Sequence, residues 1–279
     1  MQRDPASRRA RRIWTAFVIA VIFAFVIVVA VVRWLPDDPP AGQVWMATPG
    51  TAARLYRFDP RVANLYFDRG EAIVLNGGWE GATAGQSWAS LDGFLADLDA
   101  GDVSPDIEVV MYDPERWSAT PEDEQRNPYV AMRTFAAVAR AHGYERVVLT
   151  PHPNLTQVPG GVCHAFPNEP IAEAYIRCGI PYAAADVADV VVLQTQFLQE
   201  QPEIFGAVTA EAAAQARATD RDVTVLSVLS TRYADDAHIM LNAWDAVRDV
   251  VEGHYLAVPR GVRPLMAARF LSLLAERRG

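Results

Sequence analysis

The sequence predicts an α/β fold, a (β/α)8-like (TIM-type) barrel preceded by one N-terminal transmembrane helix. Three observations predict it. Short runs rich in Val, Ile and Leu recur along the chain, each leading into a polar loop and then an amphipathic segment. Such runs suit strands buried on both faces of a parallel sheet. Residues 43–279 are long enough for eight strand–helix units. An uncharged apolar stretch, Ile13 to Val32, stands near the N-terminus.

Residues 1–12 carry Arg3, Arg8, Arg9, Arg11 and Arg12 against Asp4, a net +4; with −9 over the whole chain, the rest carries −13. The apolar run that follows would span roughly 30 Å as a helix at about 1.5 Å per residue, the thickness of a bilayer core. Arginines precede it, and only Arg33 follows before Asp37 and Asp38. The positive-inside rule then puts residues 1–12 in the cytoplasm, residues 13–35 in the lipid bilayer of the plasma membrane, and the domain outside. A cleaved signal peptide is the competing reading. Its apolar region is usually shorter and ends in small residues, whereas this run leads into Val-Val-Arg-Trp-Leu. Residues 36–42, PDDPPAG, form a Pro-rich linker that cannot continue a helix. The barrel domain is therefore expected over 43–279.

The apolar runs in order are Val44–Thr48, Ala72–Asn76, Ile107–Tyr112, Val147–Thr150, Val190–Leu193, Val223–Leu229 and Tyr255–Val258. An eighth strand is expected between Arg54 and Asp68, in LYRF or ANLYF. Helices are expected over Ser87–Leu98, from an N-cap at Thr120, from Asn127-Pro128 to Gly143, and over Glu211–Ala218, Asp236–Val251 and Pro264–Arg277. Alternating strand and helix implies right-handed crossovers around a parallel sheet. An open doubly wound sheet is the alternative, but no Gly-rich phosphate loop follows any strand.

Charge and composition exclude several functions. All 25 basic residues are arginine. Without lysine there is no Schiff base, no pyridoxal phosphate linkage and no P-loop or kinase lysine. An acidic domain repels phosphate backbones, so nucleic acid is not an expected partner. No cofactor is expected. Cys163 and Cys178 are the only cysteines, and outside the cytoplasm they are expected to pair, closing a loop of about 15 residues worth roughly 3 kcal/mol. Two buried thiols, or a metal site with His152 and His164, are the alternatives; no regular ligand spacing supports the metal.

In such barrels active sites gather at the C-terminal ends of the strands. Here those ends are polar or aromatic: Asn76 and Trp79; Tyr112, Asp113, Glu115 and Trp117; His152 and Asn154; Gln194 and Gln196; Arg232 and Tyr233. Asp113 and Glu115 stand two apart, so on an extended strand both point the same way. Two close carboxyl groups raise one pKa, leaving one protonated as an acid while the other is ionised. This suits glycosidic-bond cleavage. Alternatively, Pro114 ends the strand and the acids cap a turn or pair with Arg116. His152 is a candidate base or hydroxyl-binding group. Asn76, Asn154, Gln194, Gln196 and Arg232 could bind substrate hydroxyls, and Trp79, Tyr112, Trp117 and Tyr233 could stack on sugar faces.

The Gly77-Gly78 strand end, and the strand that runs into Asp113-x-Glu115, resemble chitinase-like glycoside hydrolases of family 18. That resemblance implies a barrel, an acid at Glu115 and a substrate-orienting role for Asp113. Glu108, Met111 and Pro114 depart from the family's D-x-x-D-x-D-x-E run. The chain is thus expected to be a membrane-anchored, extracytoplasmic glycoside-hydrolase-like barrel acting on an envelope or extracellular glycan. The rival reading is an inactive barrel serving as a glycan-binding or scaffolding module.

Overall fold

The computed structural model describes residues 43–219 and 222–277. Among these residues the barrel lies in one compact unit that runs to Leu274. The eight strands are β1 (Val44–Ala47), β2 (Ile73–Leu75), β3 (Thr83–Trp88), β4 (Val109–Tyr112), β5 (Arg146–Leu149), β6 (Val190–Leu193), β7 (Thr224–Ser230) and β8 (Gly253–Ala257). They pair in sequence order, all parallel, and β8 returns to β1 to close the barrel.

The helices are α1 (Pro49–Phe58), α2 (Pro60–Phe67), α3 (Leu91–Ala100), α4 (Glu122–Arg126), α5 (Pro128–Ala141), α6 (Ile171–Arg177), α7 (Ile180–Ala185), α8 (Pro202–Arg217), α9 (Ala237–Val247) and α10 (Pro264–Glu276). Local chemistry starts several of them. The side chains of Thr48, Asp59, Ser90 and Asn127 accept backbone N–H groups at the first turns of α1, α2, α3 and α5.

The period of two sorts each strand into two cores. Met46, Ile73, Leu75, Val109, Met111, Val148, Val190, Val192, Leu226 and Val228 fill the barrel interior. Their neighbours, among them Trp45, Val74, Val110, Tyr112, Leu149, Val191 and Leu229, pack outward against the helices. Gly253 stands at the closing seam, paired with Val44 on one side and Leu226 on the other. A Cβ there would collide with the Val44 backbone.

Seven of the expected strands are present; the eighth is not where it was expected. The Arg54–Asp68 segment folds as the end of α1 and all of α2, because Leu55, Val62, Ala63, Tyr66 and Phe67 bury at helical spacing. The missing strand is β3, TAGQSW, whose inward positions include Gly85 and Ser87 and so give no apolar run. The helix expected from Ser87 therefore begins only at Leu91. Thr120 does not cap α4; its hydroxyl donates to the Ala89 carbonyl instead. The expected disulfide is present between Cys163 and Cys178, with Cα atoms 5.8 Å apart. Among the described residues no helix is long and apolar enough to cross a membrane. The expected tail, span and linker, residues 1–42, lie outside the described residues.

Candidate active site

Backbone pairing does not stop where β4 and β5 end. Thr150 N–H donates to the Tyr112 carbonyl at 3.0 Å, and His152 N–H to the Pro114 carbonyl at 3.1 Å. Arg116 N–H then donates to Asn154 Oδ1 at 2.8 Å. These bonds keep Asp113-Pro114-Glu115 extended, and Pro114 needs no N–H of its own because only its carbonyl is used. Asp113 and Glu115 thus continue the inward row of Val109 and Met111 into the barrel mouth.

Gln194 continues the inward row of Val190 and Val192 in the same way. Its Nε2 donates to Asp113 Oδ1 and to the Thr150 carbonyl, both at 2.8 Å. Its Oε1 accepts from Gln196 Nε2 at 3.2 Å. The two glutamines therefore form a relay that ends on Asp113. Burial pushes the Asp113 carboxyl up to about 8; the charge of Glu115 adds to the shift, and the Gln194 amide opposes it. Glu115 is also raised by burial, but Gln194 and the Arg232 guanidinium counter it. Both carboxyl groups are thus raised, and Asp113 holds its proton into the neutral range. The same two charges, added to burial, raise the Tyr255 phenol, which faces them from β8.

His152 is pushed down to about 4 by burial, with the Asn154 contact opposing. It is therefore neutral at pH 7. Its Nδ1 accepts the Asn154 N–H at 3.0 Å, so the ring proton is assigned to Nε2. A neutral ring with its proton on Nε2 binds an acceptor there better than it removes a proton. Arg232 is exposed on the short turn after β7, where Ser230 Oγ accepts its backbone N–H at 3.2 Å. Gln199 pins that turn through the Ser230 N–H and carbonyl and the Tyr233 carbonyl. Two buried polar atoms at this end have no partner among the described residues, Thr150 Oγ1 and Gln196 Oε1.

Other expected site residues are used elsewhere. Tyr112 points outward, stacks on Phe135 at 5.2 Å and donates its hydroxyl to Glu124 at 2.6 Å. Glu124 also accepts the N–H groups of Leu91 and Asp92, which explains a buried carboxylate there. Trp79 packs edge-on to Tyr56 at 5.7 Å, against the helix layer. Asn76 is bound to Ser87 through both its side-chain oxygen and nitrogen, at 2.8 Å each. It also lines a separate cleft of about 500 Å³, with Gly77, Gly78, Gln86 and Asp106. Asn154 Oδ1 is taken by Arg116, as described. Trp117 is 45% exposed at the rim, its indole N–H on Thr120 Oγ1. Tyr233 is half-buried beside the Gln199 contact.

Tyr255 is the mouth residue that the sequence did not reveal. Within an apolar run it reads as core, and only its place two residues after Gly253, on the inward row, could have marked it. Among the described residues no group of three or more His, Cys, Asp or Glu is arranged to hold a metal ion, and His152 and His164 do not join the bonded Cys163 in such a set.

Fold and site together define a closed eight-stranded parallel barrel with a carboxyl pair at the C-terminal ends of its strands. No protein-family profile matches the chain, and no curated protein matches it. A solved structure of a Schiff-base-forming fructose-1,6-bisphosphate aldolase is similar at 12% identity and a TM-score of 0.49, covering 88% of this chain and 98% of that one. A likeness that distant bears on no residue here, and this chain has no lysine amine for a Schiff base.

Proposed function

We propose that the barrel hydrolyses a glycosidic bond in an envelope or extracellular glycan, held outside the cell by residues 13–35. One observation carries the reading: Asp113 and Glu115 stand together at the barrel mouth, Asp113 bonded by Gln194 and raised by burial to about 8, with Arg232 opposing the rise at Glu115. Asp113 then gives its proton to the glycosidic oxygen as the C–O bond breaks, and the leaving sugar departs as an alcohol. Glu115, when ionised, faces the positive charge that develops on the sugar ring; water then supplies the hydroxyl of the new reducing end, and its other proton returns to Asp113. In this reading His152 Nε2–H, Gln196 and Thr150 bind sugar hydroxyls, with Tyr255 and Trp117 as apolar surfaces.

The test is a panel of oligosaccharides assayed for new reducing ends. Asp113→Asn and Glu115→Gln should each lower turnover by about 10²–10⁴-fold while leaving circular dichroism unchanged. Turnover in either variant equal to the parent would remove the assignment. A panel in which no glycan is cleaved or bound would remove the reading altogether.

A further inference from the structure

Arg232 brings a positive charge to the mouth, where it attracts the Glu115 carboxylate across space without a direct ion pair. Among the described residues the Arg232 guanidinium has no hydrogen-bond or ion-pair partner, although its charge is felt at Glu115. On the next loop, by contrast, Arg263 is paired with Asp235. The turn that carries Arg232 is not loose, since buried Gln199 and the Ser230 hydroxyl fix its backbone. The turn is therefore fixed at its base, and its exposed guanidinium is open to a ligand.

Deeper in the mouth the needs are different. Thr150 is 1% exposed and Gln196 8%, and each has an oxygen with no partner. A buried acceptor without a donor costs about 1–3 kcal/mol, so these atoms call for a ligand with O–H or N–H groups. The acidic remainder of the domain makes this local cation the more specific.

We infer that the substrate is an acidic glycan, whose neutral hydroxyl or amide face is buried against Gln196 and Thr150 while an oxyanion substituent sits on Arg232. This deepens the glycan-hydrolase reading and rests on it for the reaction, but not for binding. The oxyanion is a sugar carboxylate or a phosphate ester; Arg can meet either with paired N–H groups.

The experiment uses the full chain and its Glu115→Gln variant, with oligosaccharides matched in length that are neutral, carboxylated or phosphorylated. For the parent, kcat/KM should favour one acidic series over the neutral one by about tenfold or more at low salt, and the ratio should shrink as salt rises. For Glu115→Gln, Kd should show the same preference. Arg232→Met should bring the acidic-to-neutral ratio close to one, and Arg232→Lys should restore part of it. The carboxylated and phosphorylated arms identify which oxyanion is taken. Neutral glycans cleaved as well as acidic ones would overturn the inference and leave the hydrolase reading standing. Acidic glycans bound selectively through Arg232 but never cleaved would do the opposite. An Arg232→Met variant with an unchanged ratio would overturn it as well, and a panel neither bound nor cleaved would overturn both.

Discussion

Asp113 and Glu115 are nearly identical groups two residues apart, yet the fold gives them different proton affinities. Asp113 lies deeper and has only an amide to offset its burial, whereas Glu115 also feels the Arg232 charge. If turnover needs one protonated and one ionised, the rate should fall on the alkaline side near pH 8 and on the acid side above the ordinary Glu range. Glu115→Gln should abolish the acid limb along with most of the rate, which a pH–rate profile checks. The same shift has a stability consequence. The folded state binds the Asp113 proton more tightly than the unfolded chain, whose Asp pKa is about 3.9. The contribution is therefore fully present below about pH 4 and is lost as pH rises through 8. Asp113→Asn should gain stability relative to the parent between those limits, read by urea unfolding at pH 5 and pH 8.5; a gap that does not widen with pH would contradict the shift. The pair itself was legible from the period of two alone. Its proton affinities were not, because those depend on Gln194 and Arg232, which lie 81 and more residues away in sequence.

Among the elements, the strands with apolar inward rows were legible and β3 was not. Its Gly85 leaves room where a Cβ would press on Leu75 and the Val109 carbonyl, so this stretch shows neither hydrophobic run nor strong strand propensity. The outward turn of Tyr112 was equally hidden, since only Glu124 in α4 reveals where its hydroxyl goes. Gly253 is the corresponding case at the seam. Gly253→Ala should destabilise the barrel severely, by misaligning β8 against β1, and a thermal melt near that of the parent would show that the seam can yield. The bond between Cys163 and Cys178 ties the long connection that follows β5 to the C-terminal end of α6. Replacing both with Ser should lower stability by roughly 3 kcal/mol from loop entropy, measured by denaturant unfolding. No loss would mean that the connection is restrained by its other contacts.

For the whole molecule, the arrangement we propose is a basic tail inside, a lipid span and an acidic catalytic barrel outside. Composition made the charge division and the apolar run plain, and the closed parallel barrel was readable from strand–helix alternation. What the alternation could not supply was which polar strand ends converge. The full chain should stay with the membrane fraction until detergent is added, and a chain beginning at Gln43 should be soluble with the same thermal melt. Recovery of the full chain in the soluble fraction without detergent would contradict the tether. The catalytic account depends most on the proton held by Asp113, and that can be observed without any substrate. Infrared spectroscopy across pH, with Asp113→Asn as the subtraction, should show a protonated carboxyl band at pH 7 that titrates away near pH 8. A band that disappears near pH 4, as for an ordinary aspartate, would contradict the account.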